Sequence, residues 1–125
     1  MKKFAMKVLD DTDREILHVL KSLGVQRKEA TLITYLMNVD EATSREIELG
    51  SDLREPEVSI AAKTLRQNDW IDVREIQREG KGRPVKVYRL KASIDQIIKH
   101  VEEVKILESN KTMQSFQKLK EMIAS

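Results

Sequence analysis

The sequence predicts a mainly α fold with a small β-hairpin (α+β) and a long helix at its end, and three observations predict it. Residues 43–68 carry two short helical patterns separated by a cluster of turn formers, Gly50-Ser51-Asp52. Residues 70–90 change to β-branched and aromatic runs on either side of a polar stretch with two glycines and a proline. Residues 93–125 contain neither glycine nor proline, so nothing in their composition stops a helix once it has begun.

Taken in order, Asp10-Asp11-Thr12-Asp13 offers N-cap candidates for a first helix, in which Ile16, Leu17, Leu20 and Leu23 repeat at helical spacing until Gly24 ends it. A second helix is expected from about Arg27 to Asn38. Its Ala30, Leu32, Ile33, Leu36 and Met37 cover an arc so wide that it must be buried on more than one side. Residues 39–42 read as a connector. Thr43 or Ser44 caps a third helix, with Ile47 and Leu49 toward the core. Pro56 fits the first position of a fourth, where its missing N–H costs nothing, and Glu55 and Glu57 suit a helix N-terminus. Val58, Ala61, Ala62 and Leu65 then form one apolar stripe on a helix of about residues 55–68, leaving Ser59, Lys63, Arg66 and Gln67 largely off it. Two such helices joined by a tight Gly-containing turn make a helix-turn-helix, whose second helix can enter a major groove. Strands follow at residues 70–76 and 85–90, and the tip between them is too long for a two-residue turn and too polar for burial, which makes it a wing.

The run Pro-Glu-Val-Ser-x-Ala-x-x-x-Leu from Pro56 to Leu65, the pair Trp70-Ile71, and Gly-Arg-Pro-Val-x-Val-Tyr-x-Leu from Gly82 to Leu90 resemble the winged helix-turn-helix transcriptional regulators of archaea, of the TrmB-like and MarR-like kind. The resemblance covers about the middle half of the chain. It implies a winged-helix domain over residues 1–92, N-terminal helices included, and sequence-specific binding to double-stranded DNA.

With 125 residues, 35% charged and 40% hydrophobic, the chain is one modest globular protein, too polar to be membranous and too apolar to be disordered. It has no cysteine, so disulfides, thiolate metal sites and thiol nucleophiles are excluded. Without a signal-peptide hydrophobic region or a membrane-length apolar run, it is expected to be soluble and cytoplasmic. Net charge is only +2, but residues 1–42 hold 7 basic and 7 acidic side chains, residues 94–125 hold 5 and 5, and residues 43–93 hold 11 and 9. The whole excess therefore lies in the helix-turn-helix and wing. There Lys81, Arg83, Lys86, Arg89 and Lys91 follow one another without an intervening acid, a footprint that suits phosphates.

The expected base-reading face is Ser59, Lys63, Arg66 and Gln67, with Arg54 and Glu57 at its entrance and Ser44 and Arg45 on the preceding helix. Lys81, Arg83 and Lys86 of the wing, about residues 77–86, are expected on phosphate or in the minor groove. Ser93 can cap the last helix, whose Ile94, Ile97, Val101 and Val104 follow a coiled-coil spacing that Met113, Phe116, Lys120 and Ile123 repeat in another phase. Such a seam implies a partner helix. Residues 93–125 are therefore expected to pair two chains into a homodimer that meets a palindromic or pseudo-palindromic site, the helix either continuous with a stutter or broken near Ser109. Phe4, Met6, Val8 and Leu9 have no evident place in the wing core and are assigned to the same interface.

His100 and Glu103 lie three apart and His18 stands alone, which makes no metal site, and Gly80-Lys81-Gly82 lacks the spacing of a phosphate-binding loop. No catalytic constellation is present, so neither an enzyme nor a cofactor is expected. The competing reading is a winged-helix protein-interaction module of a replication, transcription or tethering assembly. No feature names an effector ligand.

Overall fold

Seven consecutive residues of the second helix, from Ala30 to Leu36, are buried, and the described residues up to Ile94 assemble around them. The computed structural model describes residues 7–77 and 82–124. The element order is α1 (Asp11–Ser22), α2 (Arg27–Leu36), β1 (Ala42–Thr43), α3 (Ser44–Gly50), α4 (Glu55–Gln67), β2 (Ile71–Ile76), β3 (Val85–Leu90) and α5 (Ile94–Ala124). This is an α+β winged-helix fold. The chain divides into two units at Ile94, each described by itself.

α2 packs on α1 and α4 and touches α3 and β3, which is why an all-round apolar helix occupies the middle. Leu32, Ile33, Ile47, Val58 and Leu65 are fully buried with it, each worth about 1.5–3 kcal/mol of transfer free energy. Tyr35 is buried too. Its hydroxyl donates to the Glu46 carbonyl at 3.2 Å, so the one polar atom of the ring is satisfied.

The helix limits follow local chemistry. Asp10 and Asp13 exchange backbone-to-carboxylate bonds of 2.8 and 3.0 Å, a capping box at the start of α1. At its end Gly24, with φ 101°, donates to the Lys21 carbonyl while Val25 donates to that of Leu20, the double closure that favours a left-handed residue. Thr43 caps α3 and is answered by Glu46 at 2.9 and 3.1 Å. α4 closes with the same double bond, Asp69 to Arg66 and Trp70 to Leu65, but here the left-handed residue is Asp69, at φ 63°.

The sheet has order β1-β3-β2, all antiparallel. Its first strand lies where a connector is expected from sequence, because two residues carry no periodicity. Ala42 and Thr43 pair with Tyr88 and Val87, which ties the start of α3 directly to the wing. The hairpin runs in register from Ile71↔Leu90 to Ile76↔Val85.

Other expectations are corrected. α2 ends at Leu36, short of Asn38, and Glu55, not Pro56, is the first helical residue of α4. Leu49 is 52% exposed, since a seven-residue helix turns only Ile47 squarely inward. Leu9 is buried and its N–H donates to the Gly50 carbonyl at 2.9 Å, so it belongs to the first unit's own core. Val8 is exposed, and Phe4 and Met6 lie outside the described residues.

α5 forms the second unit and is continuous through Ser109. Ile97 is 0% exposed, and Ile94 and Val101 are half-buried. Val104, Met113, Phe116 and Ile123 are exposed, as is Leu119 at heptad spacing between the last two. No described helix is long and apolar enough to cross a membrane.

Candidate nucleic-acid interface

α4 is held to the core by Val58, Ala61, Ala62 and Leu65, and this fixes which side chains point away. Ser59, Lys63, Arg66 and Gln67 are all exposed, at intervals of four, three and one, so they occupy one outward arc. Ile60 lies on the same arc, 54% exposed, an apolar group off the buried stripe.

The entry to α4 is fixed by ion pairing. Ser51 hydrogen-bonds the Ile47 carbonyl through both its N–H and its hydroxyl, and the hydroxyl accepts from the Leu53 N–H at 3.2 Å. Arg27, on α2, donates to Asp52 and to Glu57, both at 3.1 Å. The other Glu57 oxygen accepts from the Arg54 N–H at 3.0 Å. Glu57 therefore spends both oxygens on aiming the helix, a structural task in place of the expected place at the entrance of the reading face. Arg54 is exposed beside it.

On the wing, Tyr88 accepts from the Ser44 hydroxyl at 3.4 Å, so Ser44 is half-buried against the sheet while Arg45 is exposed. Arg83 and Lys86 are exposed, and Gln77 donates to the Gly82 carbonyl at 2.9 Å across the base of the tip. Lys81 lies outside the described residues. The five-cation run is reduced by its neighbours across the hairpin: Arg89 is paired with Asp72, and Lys91 with Asp69 at 2.7 Å. The Asp69 bond also raises the Lys91 ammonium above its ordinary pKa. These pairs are not visible in a linear count of charge, because cross-strand register brings acids of β2 and its lead-in to the bases of β3.

Two grooves result. One, of about 330 Å³, runs between α4 and the sheet and is lined by Ser59, Lys63 and Arg66 from α4 and by Val73, Lys86 and Tyr88 from the strands. Its three cations come from two elements, no carboxylate lines it, and none of the three is in an ion pair among the described residues. Such a lining accepts anionic oxygens. The other, of about 560 Å³, lies between the start of α3 and the wing; Arg45, Arg83 and Lys86 share it with Glu48, Glu55 and Glu75, so its charge is mixed. Lys86 borders both. Elsewhere, among the described residues, no three His, Asp or Glu come together as a metal-ligand set.

No family model matches the chain, and no curated protein is significantly similar to it. Among solved structures, a protein of Methanosarcina mazei Go1 described as "possible transcriptional regulator" superposes with TM-score 0.61 over 91% of this chain and 98% of its own, at 12% identity. At that identity the likeness shows a shared fold.

Proposed function

We propose that this protein is a sequence-specific DNA-binding transcriptional regulator, acting in the cytoplasm as a homodimer and by binding without catalysis. The observation that carries the reading is the groove shared by Lys63, Arg66 and Lys86, which presents unpaired cations from the second helix of a helix-turn-helix and from the wing beside it. α4 enters the major groove with Ser59, Lys63, Arg66 and Gln67 toward base edges, and Ile60 among them offers contact to a thymine methyl. Arg83 and Lys86, with Lys81, meet phosphate or the minor groove. α5 pairs two chains through Val104, Met113, Phe116, Leu119 and Ile123, so that the two α4 helices face a palindromic site. The printed description of the M. mazei protein supports the regulatory part of this reading. A protein-interaction module would favour a contiguous apolar arc on α4, and Ile60 stands alone there among polar side chains.

The test is the salt dependence of binding to genomic fragments by gel shift. Each phosphate contact contributes about 0.9 to the slope of log K against log salt, so the Arg83→Ala, Lys86→Ala double variant should lower the slope by about two per subunit. An unchanged slope would remove the wing from the interface.

A further inference from the structure

We propose that α5 pairs antiparallel with α5 of a second copy of this chain, about a two-fold axis that crosses the helix between Glu108 and Ser109. Ile94, Ile98, Val101 and Lys105 follow one another at intervals of four, three and four, and Thr112, Phe116, Leu119 and Ile123 repeat those intervals. At about 100° per residue all eight fall within an arc of about 60°, so they form one straight seam along the helix, with Val104 and Met113 on its two flanks. Ile98, Phe116, Leu119 and Ile123 are exposed, and Ile94 and Val101 are half-buried.

Four, three, four reads the same in both directions, so turning the helix end for end about residues 108 and 109 carries the seam onto itself. Ile98 then meets the partner's Leu119, Val101 the partner's Phe116, and Lys105 the partner's Thr112, with Ile94 and Ile123 opposed at the ends. Thr112 donates its hydroxyl to the Glu108 carbonyl at 2.9 Å, so its polar atom is satisfied within its own helix. Lys105 lies 3.5 Å from Glu108 through its ammonium, and its methylene stem can cover the threonine methyl while the charge stays in water.

A seam of this kind also permits parallel pairing, in which every residue meets its own copy, and charge decides between the two. Residues 94–108 carry Asp95, Glu102, Glu103 and Glu108 against Lys99 and Lys105, a net −2, whereas residues 109–124 carry Lys111, Lys118 and Lys120 against Glu121, a net +2. Parallel helices set like halves side by side and Lys105 against Lys105 within the seam. Antiparallel helices set each acidic half on a basic one, with Asp95 beside the partner's Lys120 and Glu108 beside the partner's Lys111. Opposed like charges disfavour the first arrangement and opposite charges favour the second, which selects the orientation. This pairing rests on the proposed reading of α5 as the helix that joins two chains.

Because the chain has no cysteine, introduced disulfides report the pairing directly. Full-length Lys105→Cys and Thr112→Cys variants, which alter exposed side chains, are mixed under reducing conditions, sized by sedimentation and then oxidised, and intact mass identifies each disulfide-linked pair. A disulfide needs Cα atoms within about 7 Å. In the antiparallel pair position 105 lies opposite position 112 but about 10 Å along the axis from its own copy, so the mixed disulfide should exceed either symmetric one at least about tenfold. Symmetric disulfides in equal or greater yield, or no disulfide from a dimer, would overturn the antiparallel register and leave the homodimer reading in place. A monomer by sedimentation would overturn both.

Discussion

Gly50 shows how one residue can be fixed by what passes it. A β-carbon there would stand 1.9 Å from the Lys7 carbonyl oxygen and 2.5 Å from the Tyr35 ring, so the N-terminal segment could not lie where it does. The sequence marks Gly50 as a turn former, which is true of its position at the end of α3; the crossing segment is a tertiary contact that no local pattern encodes. Gly50→Ala should lower stability by about 1–3 kcal/mol, the usual scale of overpacking, and speed hydrogen exchange at Leu9, whose N–H bonds Gly50. An unchanged melting temperature and exchange rate would contradict the close approach. Asp13 is a second case: legible as an acid in a first helical turn, it is in fact buried and bonded to Lys7 at 2.9 Å, to Asn38 at 3.1 Å and to the Asp10 N–H. Burial alone would raise its carboxyl, but the Asp10 N–H, Lys7 and Asn38 outweigh this and hold it at about 2. A carboxyl held below its unfolded value of 3.8 contributes stability above that pH and loses it as pH falls toward 2. Asp13→Asn should cost about 1–3 kcal/mol at neutral pH, and the gap in melting temperature from the natural protein should close between about pH 4 and pH 2. A gap constant across that window would sink this role.

At the level of elements, the parts with strong periodicity or strong punctuation are legible, and the parts set by register are not. The stripe on α4, the capping box at Thr43 and the glycine stop of α1 each follow from a few adjacent residues. β1 is two residues long and exists only because β3 offers it a partner, and the pairing of Arg89 and Lys91 with acids before and within β2 follows from the hairpin alignment. The candidate site divides the same way: the outward arc of α4 could be read from spacing, whereas the diversion of Glu57 to Arg27, thirty residues away, could not. Because the arc lies off the buried stripe, Ser59→Ala and Lys63→Ala should leave the fold intact, and each should relax base preference by about 1–3 kcal/mol at the position it contacts. Identical preferred sites for the natural protein and both variants would remove α4 as the reader.

At the scale of the whole molecule, α5 carries exposed apolar side chains at Val104, Met113, Phe116, Leu119 and Ile123. α5 is one continuous helix despite the phase change in its apolar spacing, and its exposed Phe116, Leu119 and Ile123 lie at intervals of three and four. The length of α5 is legible in the sequence, because no glycine or proline interrupts residues 93–125. If two chains pair through that seam, two α4 helices are presented together, and successive major grooves on one face of DNA lie about 34 Å apart. Selection of bound sites from random double-stranded DNA by the full-length protein tests this most directly: the account predicts one enriched site with two-fold symmetry and half-site centres about 10–11 base pairs apart, or a small multiple of that. Recovery of no enriched sequence, or of a single asymmetric half-site from the full-length protein, would contradict it.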